Sequence, residues 1–131
     1  MLENKFRGKT EEGNWIYGGV AYYNSKASNR AYIVDHLTLI PVKPETIGQF
    51  ANYIDCNDNE IYEDDIVENK DGERALIYKI PGGYALGDPF IVEGAGLYDC
   101  YITETVPAEY KVIGNKFDNP ELLKGDQHER D

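Results

Sequence analysis

Apolar residues in this chain come in short bursts separated by turn chemistry, and no segment sustains a 3.6-residue apolar period. Trp15-Ile16-Tyr17 and Val20-Ala21-Tyr22-Tyr23 read as strands broken or bulged at Gly18-Gly19. Asn24–Arg30 is a polar loop that returns into Ala31-Tyr32-Ile33-Val34. Leu37–Ile40 extends that run until Pro41 and Pro44 interrupt the ladder. Further on, Ile66-Val67-Glu68 reads as a strand, Asn69-Lys70-Asp71-Gly72 as a hairpin turn and Arg74–Ile80 as the partner strand. Pro81-Gly82-Gly83 turns into Tyr84-Ala85-Leu86, and Phe90-Ile91-Val92, Tyr98–Thr103 and Tyr110–Ile113 supply further short strands. Asn119-Pro120-Glu121 has the N-cap and first-position proline of a one- or two-turn helix, and Lys124–Asp131 is polar throughout and expected to fray.

This pattern predicts a mainly β protein: a small antiparallel N-terminal sheet, an SH3-like small barrel and a short C-terminal helical turn. The divisions fall at residues 1–50 for the N-terminal β subdomain, 51–119 for the barrel, and 120–131 for the helical turn and flexible tail. Four or five short strands closed by tight turns bury one core about a curled sheet and leave few free edges. With 131 residues the core is small, and eleven Tyr, four Phe and one Trp are expected to supply much of its area.

Charge changes the picture. The net charge is −11, and the twenty residues from Asp55 to Arg74 hold nine acidic and two basic side chains. Such a balance argues against direct nucleic-acid binding, which rests on Lys and Arg neutralising phosphates, and against docking on anionic membrane. No 18-residue apolar run occurs, so no membrane-spanning helix is expected. Met1–Thr10 lacks an apolar run, so no export signal is expected there, and Cys56 and Cys100 are expected as free thiols in a reducing cytoplasm.

Candidate chemistry is sparse. Asp55, Asn57 and Asn59 match the first three ligand positions of a calcium loop, but the pattern fails at Glu60, where Gly is needed, and at Ile66, where a bidentate Glu is needed. Glu63, Asp64 and Asp65 could offer carboxylates to Mg²⁺, although adjacent acids in a turn mostly face water. His36 lies in a strand-like run and His128 in the polar tail, so neither is paired by spacing with Cys56 or Cys100 as a nucleophile's base. Gly82-Gly83 and Gly94-Ala95-Gly96 read as turns rather than phosphate cradles. Tyr22-Tyr23, Tyr98 and Tyr101 could stack bases, yet no basic groove accompanies them, and packing within the sheets accounts for them better. Trp15, in an alternating strand, is expected to face the core. No catalytic, cofactor-binding or metal-ligating residue is assigned.

Three segments resemble the YopX family of small bacteriophage and prophage proteins. The first is Lys5-Phe6-Arg7-Gly8-Lys9 with Gly13-Asn14-Trp15-Ile16-Tyr17-Gly18. The second is Thr46-Ile47-Gly48-Gln49-Phe50 with Asp58-Asn59-Glu60-Ile61-Tyr62-Glu63-Asp64-Asp65-Ile66-Val67. The third is Val112-Ile113-Gly114-Asn115-Lys116-Phe117-Asp118-Asn119-Pro120-Glu121-Leu122-Leu123. The family usually has Gly where Asp64 stands, and Thr-Gly where Ala51-Asn52 stands, so turn geometry is in question at both places. The resemblance implies a β-rich, phage-encoded protein of the bacterial cytoplasm and carries over no catalytic residues. Three functional readings follow. The leading one is a non-enzymatic interaction protein with an unidentified protein partner or a second copy of itself. The second is an acidic mimic that occupies a host nucleic-acid-binding protein. The third is a metal-dependent enzyme using Glu63, Asp64 and Asp65.

Overall fold

A computed structural model describes residues 5–24, 29–80, 83–87, 100–101 and 108–123. The expectations for Phe90–Val92, Gly94–Gly96, Tyr98 and the Lys124–Asp131 tail lie outside the described residues. The chain is mainly β, with antiparallel sheets and a short 3₁₀ turn near its C-terminal end, as the pattern predicts. It divides into two units, Met1–Phe50 and Ala51–Asp131.

In the first unit β1 (Phe6–Lys9), β2 (Trp15–Asn24), β3 (Asn29–Asp35) and β4 (Thr38–Val42) form an antiparallel sheet in the order β4-β3-β2-β1. The start of β5 (Gly48–Ile54) pairs with β1 on its other side, Phe6 opposite Gln49 and Arg7 opposite Gly48. Alternation places Ala31, Ile33 and Val42 in a buried cluster, with Phe6, Ile16, Val20 and Ile47 packed against it. Gly8 is required in this core, because a Cβ there would stand 2.8 Å from a Val42 methyl. A 3₁₀ turn at Pro44–Thr46 is tied to β1 by the buried Thr46 hydroxyl, which accepts from the Lys9 amide at 2.9 Å and donates to the Lys43 carbonyl at 2.7 Å.

Two expectations need correction here. Leu37–Ile40 does not extend the β3 run. The chain reverses at His36-Leu37, and β3 and β4 pair as a two-residue hairpin with Asp35 opposite Thr38. Nor does Trp15 anchor the core. Ile16 takes the inward position, and Trp15 lies half-buried on the opposite face, its ring 4.6 Å from the Arg7 guanidinium carbon.

In the second unit the remainder of β5 leads into β6 (Glu60–Tyr62), β7 (Asp65–Asn69), β8 (Arg74–Ile80), β9 (Gly83–Gly87), β10 (Cys100–Tyr101) and β11 (Tyr110–Asn115). Five of these form an open, barrel-like antiparallel sheet in the order β10-β9-β8-β7-β11. Ala51, Ile61, Val67, Ala75, Ile77 and Leu86 make its core, and Tyr53, Tyr84, Tyr110 and Val112 close over it. The aromatic residues thus roof an aliphatic centre, with Tyr62 alone among the tyrosines fully buried among the described residues. The Asn69–Gly72 turn forms as its residues predict. Asn69 Oδ1 accepts from the Asp71 and Glu73 amides, and Gly72 takes φ +83°. Residues Pro120–Leu123 form the expected single helical turn, of the 3₁₀ type.

Candidate functional site

The acidic stretch is where the sequence concentrates candidate chemistry, and the structure turns much of it inward. Asp55 is buried, and its carboxylate is an acceptor for backbone. Oδ1 accepts from the Asn57 and Asn59 amides, each at 2.8 Å, and Oδ2 accepts from the Val112 amide of β11 at 2.7 Å. Burial pushes the Asp55 carboxyl up, but the amides of Val112, Asn59 and Asn57 and the Asn59 side chain outweigh it and hold it below its ordinary value. The calcium-like spacing of Asp55, Asn57 and Asn59 is therefore that of an Asx turn closing on its own amides.

Glu63, Asp64 and Asp65 are not brought together around a common point. Asp65 is 1% exposed and accepts from the Tyr62 amide at 2.7 Å, which closes the turn between β6 and β7. Asp64 pairs with Lys116 at 3.3 Å, while its amide donates to Ile77 and its carbonyl accepts from the Lys116 amide. Burial first, and the negative charge of Glu63 second, push the Tyr84 phenol up to about 12. Elsewhere in the stretch Glu68 pairs with Arg74 at 3.2 Å and Glu73 accepts from Asn69 at 2.8 Å. No group of three or more His, Cys, Asp or Glu is placed to hold a metal ion among the described residues.

The remaining candidates stand apart. His36 is exposed in the β3–β4 turn with Nδ1 2.8 Å from Asp35 Oδ1. Cys56 is an exposed free thiol in the Asp55–Asn59 turn. Of Cys100, Tyr22, Tyr23 and Tyr101 only the backbone is described, and His128 lies outside the described residues.

The segments that suggested the family are framework. Thr10 and Asn14 close the β1–β2 hairpin through Thr10 Oγ1 and the paired backbone bonds. At the other end Asn115 Oδ1 accepts from the Phe117 and Asp118 amides, and Asn119 Oδ1 accepts from the Asn115 amide. A Cβ on Gly114 would lie 2.4 Å from that same Asn119 oxygen, so glycine is needed there for the cap to form.

One surface was missed by the sequence reading. Tyr32, Val34, Leu39 and Pro41 alternate with core residues along β3 and β4, so the outward face of this hairpin is also apolar. Leu39 is 56% exposed, and Leu37, at the hairpin tip, is fully exposed. At the opposite end of the hairpin a cleft of about 410 Å³ is lined by Glu11, Arg30, Ala31, Tyr32, Pro41, Val42 and Pro44. Its signal was Leu37 and Leu39 themselves. Without a glycine or asparagine between Asp35 and Thr38, they read as strand interior rather than as a tip and an outer face.

No helix among the described residues is long and apolar enough to cross a membrane. No curated protein matches the chain. The family model described as YopX protein matches residues 5–124, which takes in all three framework segments. The chain belongs to the YopX family.

Proposed function

We propose that this chain is a phage- or prophage-encoded, non-enzymatic interaction protein that acts in the bacterial cytoplasm through protein contacts, a second copy of itself among them. The observation that carries this reading is the exposure of Leu37 and Leu39 on one hairpin of a chain that is otherwise strongly charged. Exposed apolar side chains grouped on one element favour contact with another protein surface. The employment of Asp55, Asp64 and Asp65 in turns and pairs is further support, since it leaves the metal-enzyme reading without a converging set of ligands.

The acidic-mimic reading keeps one specific support. Residues 1–50 carry six basic and five acidic side chains, a net +1, whereas residues 51–131 carry seven and nineteen, a net −12. Affinity capture from bacterial lysate with chemical crosslinking, at low and at high salt, separates the two readings. A saturable protein partner retained at high salt, including another copy of the chain, is the expected result. Capture confined to low salt would favour mimicry, because exposed charge pairs are screened. Retention of nothing at either salt would overturn the interaction reading.

A further inference from the structure

The outer edge of β11 is closed by side chains and a turn where a strand would otherwise lie. β11 ends its sheet among the described residues, with β7 on one side. On the other side the Tyr110 carbonyl accepts from the Cys56 amide at 3.3 Å, and the Val112 amide donates to Asp55 Oδ2 at 2.7 Å. Past the bulge between Val112 and Gly114, the Asn115 amide donates to Asn119 Oδ1 at 3.2 Å and the Asn115 carbonyl accepts from the Asn119 amide at 2.9 Å. Asp55 and Cys56 together make the two bonds that one residue of a parallel neighbour would make, a carboxylate oxygen standing in for the carbonyl.

We propose that the Asp55–Asn59 turn guards this edge: it holds β11 closed against β11 of a second copy, and withdrawing it opens the edge to strand pairing. Backbone groups on an open edge template the addition of another strand, and Tyr110, Val112 and Ile113 are residue types that suit one. The two groups under the guard are complementary to themselves. In an antiparallel pair about a two-fold axis at Lys111, each copy's Val112 amide meets the other copy's Tyr110 carbonyl, so the groups that the turn releases satisfy one another. That match is what points to a second copy. The same axis sets the exposed Lys111 opposite the other copy's Lys111, and like charges directly opposite work against pairing. The Asp55 carboxylate and the Lys111 charge therefore act in the same direction, each keeping the edge single. None of this depends on what the β3–β4 hairpin binds.

Analytical ultracentrifugation of the full chain over a micromolar concentration series, with circular dichroism to verify each fold, tests this against the parent. Asp55→Ala removes the acceptor altogether. Asp55→Asn is the milder variant and carries the comparison if Asp55→Ala does not fold. Its one side-chain oxygen serves the Asn57 and Asn59 amides while its NH2 group confronts the Val112 amide. Each is expected to self-associate at concentrations at least about tenfold below any association of the parent, since two backbone bonds are gained. Lys111→Thr added to either is expected to strengthen that association, and in the parent, where the edge is closed, to change nothing. Val112→Pro removes an N–H that points away from β7, so adding it to either Asp55 variant is expected to return the parent's state. Association that persists or worsens with the proline would come from lost stability alone and overturns the proposal. So do folded Asp55 variants no more associated than the parent, or a parent in which Lys111→Thr by itself promotes assembly.

Discussion

Asn52 and Asp64 hold φ of +66° and +76°, in the left-handed region where an L side chain crowds its own carbonyl. These are the two positions where the family resemblance led one to look for glycine, and both turns keep the conformation with a substitute that tolerates it. Asp64→Gly is expected to be as stable as the parent or more so by up to about 1 kcal/mol, since relief of the backbone offsets loss of the partly exposed Lys116 pair. Asp64→Val is expected to cost more than about 1 kcal/mol, because a β-branched residue is the least suited to this region. Urea unfolding midpoints check both, and a glycine variant less stable than the valine variant would refute the account. Tyr84 gives a second test at this scale. Its phenol is pushed from an ordinary 10.0 up to about 12, so the neutral form is favoured in the fold. A raised folded value means the contribution is whole below pH 10 and drains away as pH rises from 10 to about 12. Tyr84→Phe is therefore expected to lose less stability than the parent across that window in chemical denaturation. An equal loss in both would rule the assignment out.

At the scale of elements, what was legible in the sequence were turns that announce themselves chemically. Asn69-Lys70-Asp71-Gly72 supplies its own acceptor and its own glycine, and the hairpin formed where these residues place it. The β3–β4 reversal was not legible, because His36 adopts φ +58° with neither glycine nor asparagine to mark it. The sequence suggests a break or a bulge at Gly18-Gly19, yet β2 runs as one strand from Trp15 to Asn24, with Gly18 paired to Phe6 of β1 and Gly19 to Val34 of β3. Trp15 was misplaced for a related reason. Alternation says that Trp15 and Ile16 face opposite ways but not which faces inward, and the packing of Ile16 on the core decided it. The role of Asp55 was hidden because one of its partners, Val112, lies 57 residues away. Asp55→Ala leaves three amides without their acceptor, those of Asn57, Asn59 and Val112, and is expected to cost about 3 kcal/mol or more. Because the folded carboxyl lies below its ordinary 3.8, its contribution is present above that pH and is lost as pH falls through the folded value. Melting curves from neutral pH down to about pH 2 should show the parent falling more steeply than Asp55→Asn below pH 3.8. A variant that melts like the parent at neutral pH would refute the latch between this turn and β11.

For the whole molecule the governing quantity is the uneven charge, a net +1 in residues 1–50 against a net −12 in residues 51–131. Like charges at that density oppose the compact state, and the opposing force is one that dissolved ions weaken. At about 0.1 M ionic strength the screening length is roughly 10 Å, shorter than the span of a small sheet, so most of the repulsion between separate acidic positions is removed. Salt also weakens attractive pairs. The Arg74–Glu68 pair is largely shielded from solvent, however, and the Lys116–Asp64 pair is too exposed on its lysine side to be worth much. Repulsion is the larger of the two effects, and added sodium chloride is expected to raise the melting temperature. Magnesium chloride at matched ionic strength then provides the sharper comparison. If the acidic stretch acts only as a diffuse field, the two salts should raise the midpoint to a similar extent, with no saturation at micromolar metal. If Glu63, Asp64 and Asp65 formed a true site, magnesium would bind saturably at micromolar concentration, stabilise well beyond sodium, and lose that advantage in Asp64→Asn and Asp65→Asn. Asp65 is already spent on the Tyr62 amide and Asp64 on Lys116, so the matched, unsaturated response is the expected one. A saturable magnesium step abolished by either substitution would put the enzyme reading ahead of the other two.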